Sequence, residues 1–127
     1  MDAVWKQLYD AAVSVAHSHK LSDAMSVGDT GAAVLSKNGN IYTGICIDTY
    51  CGLGFCAERN ALTNMFTAGE YEVARICTVL EGGKIVPPCG ACAEYLLQMG
   101  EGSKDVEILL DGDGTVIGLR DLAPYAW

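Results

Sequence analysis

The chain has 127 residues, half of them hydrophobic, and a formal net charge of −8 from 16 Asp and Glu against 8 Lys and Arg. That length suits one domain, residues 1–127, and the apolar content is ample for a packed core, which excludes intrinsic disorder. No uncharged run is long enough to span a bilayer, and the acidic balance without Lys or Arg clusters argues against a nucleic-acid partner.

The opening MDAVWKQLYD lacks a basic start followed by an apolar stretch, so the expectation is a protein without a signal peptide, working in the cytoplasm. From Ala3 to about His19, Val4, Leu8, Ala11, Ala12 and Val15 fall on one stripe and predict a helix. Residues Leu21 to Asp29 read as a loop. Gly31–Ser36 and Ile41–Ile47 are strand candidates joined by Lys37-Asn38-Gly39-Asn40, and Asn-Gly is a strong hairpin signal. A glycine-bearing loop, Thr49–Phe55, precedes a helix from Cys56 to about Thr67, stopped by Gly69. Arg75–Leu80 reads as a third strand. Pro87-Pro88 holds off any helix until Cys89, after which Cys92–Met99 suits a helix ended by Gly100. Val106–Leu110 and Thr115–Ile117 are two further strands around the turn Asp111–Gly114, and a last helical turn lies near Leu119–Leu122. The expected fold is α/β: one five-stranded mixed sheet in three layers, with helices on both faces.

Six cysteines are present: Cys46, Cys51, Cys56, Cys77, Cys89 and Cys92. Disulfides need an oxidising compartment, so metal or redox chemistry is the better expectation. Cys56-Ala57-Glu58-Arg59 and Pro88-Cys89-Gly90-Ala91-Cys92 each lie where a loop enters a helix, and helix N-termini favour thiolate over thiol. Three such thiolates can cap a tetrahedral Zn2+ and leave its fourth position open, as in a catalytic site. Cys89 and Cys92 are three apart and can converge on one ion. Cys56 and Glu58 are two apart, so they share a site only if Cys56 holds the helix's irregular first position. Arg59, three residues after Cys56, is placed to donate a charge-assisted hydrogen bond to a sulfur. Other readings stay open: a fourth ligand from Cys46 or Cys51 would make a structural zinc module without activity, and Cys89-x-x-Cys92 alone would suit a redox pair. Cys77, in an apolar strand, reads as a buried small hydrophobe, and His17 and His19 as surface residues.

Cys-x-Glu followed by Pro-Cys-x-x-Cys resembles the zinc-dependent cytidine deaminase superfamily, in its small three-cysteine form that includes cytidine deaminases and blasticidin S deaminase. Gly31-Ala32-Ala33-Val34, Tyr42-Thr43-Gly44, Cys56 to Ala61 and Leu119 to Pro124 fall in the family's order. The resemblance implies one zinc-dependent deaminase domain, with Cys56, Cys89 and Cys92 as ligands of Zn2+ and Glu58 as a proton shuttle that does not bind the metal. It implies that the backbone N–H of Ala57 holds the carbonyl oxygen of the base, and that a C-terminal aromatic, Trp127, closes the pocket. It also implies a free nucleoside such as cytidine or deoxycytidine as substrate, with blasticidin S as the alternative, and a homo-oligomer, a tetramer. Cys46 and Asp48 stand where the family carries the Asn and Glu that grip the ribose. Cys92-Ala93-Glu94 replaces the family's Cys-Arg-Gln, and Met25-Ser26-Val27 stands where it has a phenylalanine.

Overall fold

The Asn38-Gly39 turn forms as its sequence predicts, with Gly39 at φ 91°, and joins β2 (Met25–Ser36) to β3 (Ile41–Thr49), reached after α1 (Ala3–Val15) and a two-residue β1 (His19–Lys20). The computed structural model describes residues 1–124. Past β3 the chain runs through α2 (Ala57–Thr67), β4 (Val73–Leu80), α3 (Gly90–Leu97), a 3-10 turn (Glu101–Asp105), β5 (Glu107–Leu109), β6 (Val116–Gly118) and α4 (Leu119–Leu122).

The sheet is mixed, since β4 and β5 run parallel through the α3 crossover while the other pairs are antiparallel. It holds six strands rather than the expected five. Ser26 and Val27 of β2 pair with Lys20 and His19 on one edge and with Asp48 and Ile47 on the other. Farther along, β4 takes the first of those edges, from Thr30 to Ser36. β1 and β4 therefore lie end to end along β2, and the sheet is nowhere more than five strands wide.

This corrects two sequence expectations. The first helix stops at Val15 instead of about His19, and residues 25–29 are strand rather than loop. The cause is close packing between the two segments. A Cβ on Gly28 would meet the His17 carbonyl oxygen at 2.1 Å, and one on Gly31 would meet that of Ala12 at 2.6 Å. Strand β2 thus lies against the end of α1, and pairing with β1 draws its start into the sheet.

Period-two alternation divides the core in two. Ala32, Val34, Ile76 and Ile108 face Leu62 and Met65 of α2 and Leu96 of α3. Ala33, Cys77, Val79 and Leu109 face Trp5, Leu8 and Ala12 of α1. Cys77 is the buried hydrophobe expected of it, its thiol pushed up to about 12 by burial. His17 and His19 are exposed.

Helix α2 is fastened to β3 backbone against backbone. Asn60 Oδ1 accepts from the Ile45 N–H at 2.9 Å, and Asn64 Nδ2 donates to the Thr43 carbonyl at 2.7 Å. Between them lies Gly44, where an added Cβ would sit 2.2 Å from Ala61 N and 2.7 Å from the Ala57 carbonyl oxygen. Neither neighbour is a side chain that can turn aside. Gly44→Ala is therefore expected to lose about 3 kcal/mol, lowering the melting temperature by roughly 10 °C in a circular-dichroism melt. A melt unchanged from the parent would contradict this account of the β3–α2 contact.

Candidate active site

The loop into α2 is held by a two-way bridge, Ile47 N to Phe55 O at 2.9 Å and Phe55 N to Ile47 O at 3.0 Å. Gly54 permits it, because a Cβ there would lie 2.1 Å from the Ile47 carbonyl oxygen. The bridge delivers Cys56 to the N-cap of α2 in extended backbone, φ −76° and ψ 157°. This is the irregular first position that Cys56 and Glu58 need in order to share a site.

Cys89 reaches the same kind of position. Val86 N donates to Thr78 O at 3.0 Å, the two prolines follow, and Cys89 is the N-cap of α3 with φ −69° and ψ 169°. That helix starts at Gly90, two residues before the sequence expectation, so Cys92 is inside its first turn.

The two helix starts converge. Cys89 Sγ lies 3.5 Å from both Cys56 Sγ and Cys92 Sγ, and all three sulfurs fall within 4.8 Å of one another. Neighbouring sulfurs of a tetrahedral zinc site are about 3.8 Å apart, given Zn–S bonds of about 2.3 Å, so the donor set fits Zn2+. Among the described residues neither Cys46 nor Cys51 joins the triad, which leaves a tetrahedral ion one position without a protein ligand.

The electrostatics favour the thiolate at Cys89 and the neutral thiol at Cys56 and Cys92. Burial pushes the Cys89 thiol up, but the N–H groups of Cys92 and Ala91 and the thiols of Cys92 and Cys56 outweigh it, and the net shift is downward. Burial raises the Cys56 and Cys92 thiols, and Glu58 adds to the rise at Cys92. Arg59 Nη2 lies 3.8 Å from Cys56 Sγ, and that sulfur leads the upward shift of the guanidinium. Glu94, whose acidity differs from the glutamine expected by resemblance, is bound by Gln98 Nε2 at 3.1 Å and is not among the triad's partners.

Glu58, in the first turn of α2, is only 3% exposed. Burial raises its carboxyl, opposed by its own backbone N–H, by the Thr78 hydroxyl and by Arg59. It opens onto a cavity of about 530 Å³ whose wall also carries Cys56, Ala57, Arg59, Cys89, Cys46 and Asp48. Cavities of this size hold small molecules. Every sequence-chosen site residue thus lies at one cavity, except Cys92, buried behind it in the triad, and Trp127, which is outside the described residues.

Asp29, Thr30 and Thr78 also line the cavity and were not chosen from the sequence. Thr78, on β4, is 2% exposed, and its hydroxyl lies toward the Glu58 carboxyl. Asp29 ends the segment that the sequence reads as a loop, and the structure places it in β2. The available signal was Gly28, since a glycine inside an alternating strand marks a bulge.

The family model for the cytidine and deoxycytidylate deaminase zinc-binding region matches residues 4–108. The chain is 35% identical over 99 residues to a cytidine deaminase of Halalkalibacterium halodurans, covering 76% of this chain and 75% of that protein. It is 33% identical over 98 residues to a cytidine deaminase of Mycobacterium tuberculosis, covering 76% and 71%. The crystal structure of a cytidine deaminase from M. tuberculosis superimposes with a TM-score of 0.81 at 28% identity, over 99% of this chain and 98% of that one.

Proposed function

Since the chain belongs to the family defined by the cytidine and deoxycytidylate deaminase zinc-binding region, and is thus a zinc-dependent hydrolytic deaminase, we propose that its substrate is a free cytosine nucleoside, cytidine or deoxycytidine. Residues 1–127 act as one deaminase domain, the family match at residues 4–108 supporting that extent. The observation that carries the reading is a buried carboxylate, Glu58, in the first turn of the helix whose N-cap thiol converges with two others at an open cavity.

Cys56, Cys89 and Cys92 would hold Zn2+, which would supply the Lewis acidity that makes water acidic enough to act as a nucleophile near neutral pH. Glu58 moves the protons. Its carboxylate takes one from the attacking water and passes it to N3 of the ring, then takes the remaining proton from the hydroxyl added at C4 and delivers it to the departing amine. A C–O bond forms at C4, the C–N bond breaks, and water plus cytidine becomes uridine plus ammonia. The Ala57 N–H, at the start of α2 where helix donors lack internal partners, donates to the base carbonyl oxygen. Arg59 offsets thiolate charge through Cys56, and Cys46 and Asp48 lie along the sugar.

The protein works in the cytoplasm as a homo-oligomer, a tetramer. Six free cysteines support a reducing compartment. No helix among the described residues is long and apolar enough to cross a membrane. Tyr50 and Leu53, 67% and 77% exposed on the loop at the cavity rim, support cover by a neighbouring copy.

The test is ammonia release by zinc-loaded protein offered cytidine, deoxycytidine, cytosine and blasticidin S. Turnover of the two nucleosides is expected. Turnover of blasticidin S alone, or of nothing in the panel, would reject the substrate assignment.

A further inference from the structure

Between Val27 and Gly31 the β2 register slips against β3: Val27 faces Ile47, whereas Gly31 faces Ile45. Three residues of β2 thus bulge out opposite the single residue Cys46. Gly28, at φ +89°, makes the bulge possible, because its close approach to the His17 carbonyl leaves no room for a Cβ. Asp29 sits at the centre of this bulge and is thereby aimed at the cavity.

There the Cys46 thiol donates to Asp29 Oδ1 at 2.6 Å and lies 3.6 Å from Asp48 Oδ2. Burial, with Asp29 adding to it, pushes that thiol up to about 11, so it stays a neutral donor at physiological pH. One proton cannot satisfy two carboxylates. A carboxylate oxygen of Asp29, one of Asp48 and the Cys46 sulfur all lie within 4.8 Å of one another. Among the described residues no lysine or arginine forms an ion pair with either aspartate. Arg59, a cation on the same wall, is engaged with Cys56. Two exposed carboxylates at one end of a binding cavity demand hydrogen-bond donors and repel anions.

We infer that Asp29 is a specificity-determining residue: with Asp48 it forms a carboxylate pair that accepts hydrogen bonds from the sugar hydroxyls of an unphosphorylated nucleoside and rejects nucleoside phosphates. This rests on the deaminase reading for the base-binding end of the cavity and extends it to the sugar end. The family as a whole includes enzymes for both cytidine and deoxycytidylate, so the choice between them is set by residues outside the shared zinc motif. A phosphate dianion would meet two like charges at this end of the cavity.

Calorimetry separates this inference from turnover, using the reaction products uridine and uridine 5′-monophosphate with zinc-loaded parent, Asp29→Asn and Asp29→Ala proteins. The parent is expected to bind uridine at least about 100-fold more tightly than the monophosphate at low salt, with the gap narrowing as salt is added. In Asp29→Asn, uridine binding should weaken about 10-fold or more while the gap to the monophosphate closes. In cytidine turnover the same variant should raise KM with little change in kcat, because a contact made equally in the ground and transition states is lost. Asp29→Ala should repeat both shifts, and unchanged melting temperatures would separate them from a fold defect. Equal binding of the two products by the parent, binding of neither, or a gap that survives in Asp29→Asn would overturn the inference. So would a second zinc equivalent lost on Asp29→Asn, since the carboxylates would then serve a cation instead of a sugar. Absence of ammonia release with the calorimetric gap intact would reject the deaminase substrate and leave the role of Asp29 standing.

Discussion

Glu58→Gln is expected to lower kcat for cytidine by a factor of about 10²–10⁴, the usual worth of a positioned general acid and base. The amide keeps the size of the side chain and can still form hydrogen bonds, but it cannot carry a proton from water to the ring. Zinc content should stay at the parental level, because Glu58 does not belong to the triad. The variant should also remain folded, for a physical reason. Glu58 is buried, and burial raises its carboxyl above the usual value. A carboxyl raised in the folded state costs no stability below its unfolded value, near pH 4.5, and an increasing amount as pH rises toward the folded value. In zinc-free protein Gln removes that penalty, so the variant should melt no lower than the parent at neutral pH. Single-turnover kinetics, zinc analysis and a melt together check the prediction. Retained kcat would mean that another group moves the proton, and lost zinc would mean that Glu58 supports the metal instead.

Cys89→Ser is expected to take zinc from about one ion per chain to nearly none, and deamination with it, because a tetrahedral site needs each of its three protein thiolates. Cys89 is exposed at the N-cap of α3, and serine is itself a favoured N-cap, so the helix should survive the change. Stability should still fall. An ion present at about 1,000 times its dissociation constant contributes about 4 kcal/mol, which for a chain of this size is roughly 10–15 °C in melting temperature. Chelation should lower the parent by the same amount and leave the variant unmoved. Cys51→Ser is the control: that residue is exposed at φ 61° in the loop before Cys56 and lies outside both clusters. Zinc loss from Cys51→Ser, or retention by Cys89→Ser, would require a different ligand set.

Features that depend on a few consecutive residues were legible. Asn38-Gly39 specifies its own turn, and the Val4, Leu8, Ala12 stripe specifies a helix face. The three-residue step from Cys89 to Cys92 brings two sulfurs together within one helical turn, whatever surrounds it. The Cys-x-Glu pair was legible only as a condition, since a regular helix would turn Glu58 away from Cys56. The Phe55–Ile47 bridge meets that condition by holding Cys56 outside the helix proper.

Other features exist only through partners distant in the chain. His19 and Lys20 carry no strand pattern and are strand because β2 lies alongside them, and residues 25–29 read as loop because Gly28 interrupts their alternation. Register decided the carboxylate end of the cavity: the slip between Val27 and Gly31 sets Asp29 against Cys46, 17 residues away in the chain. The sulfurs of Cys56 and Cys89, 33 residues apart, meet because the sheet positions both helix starts at one cavity. Residue spacing carries geometry reliably over about one helical turn or one tight turn. Beyond that, the sequence alone pointed to a three-thiol zinc site with a glutamate beside it, whereas sheet pairing and backbone contact determined which carboxylates line the rest of the cavity.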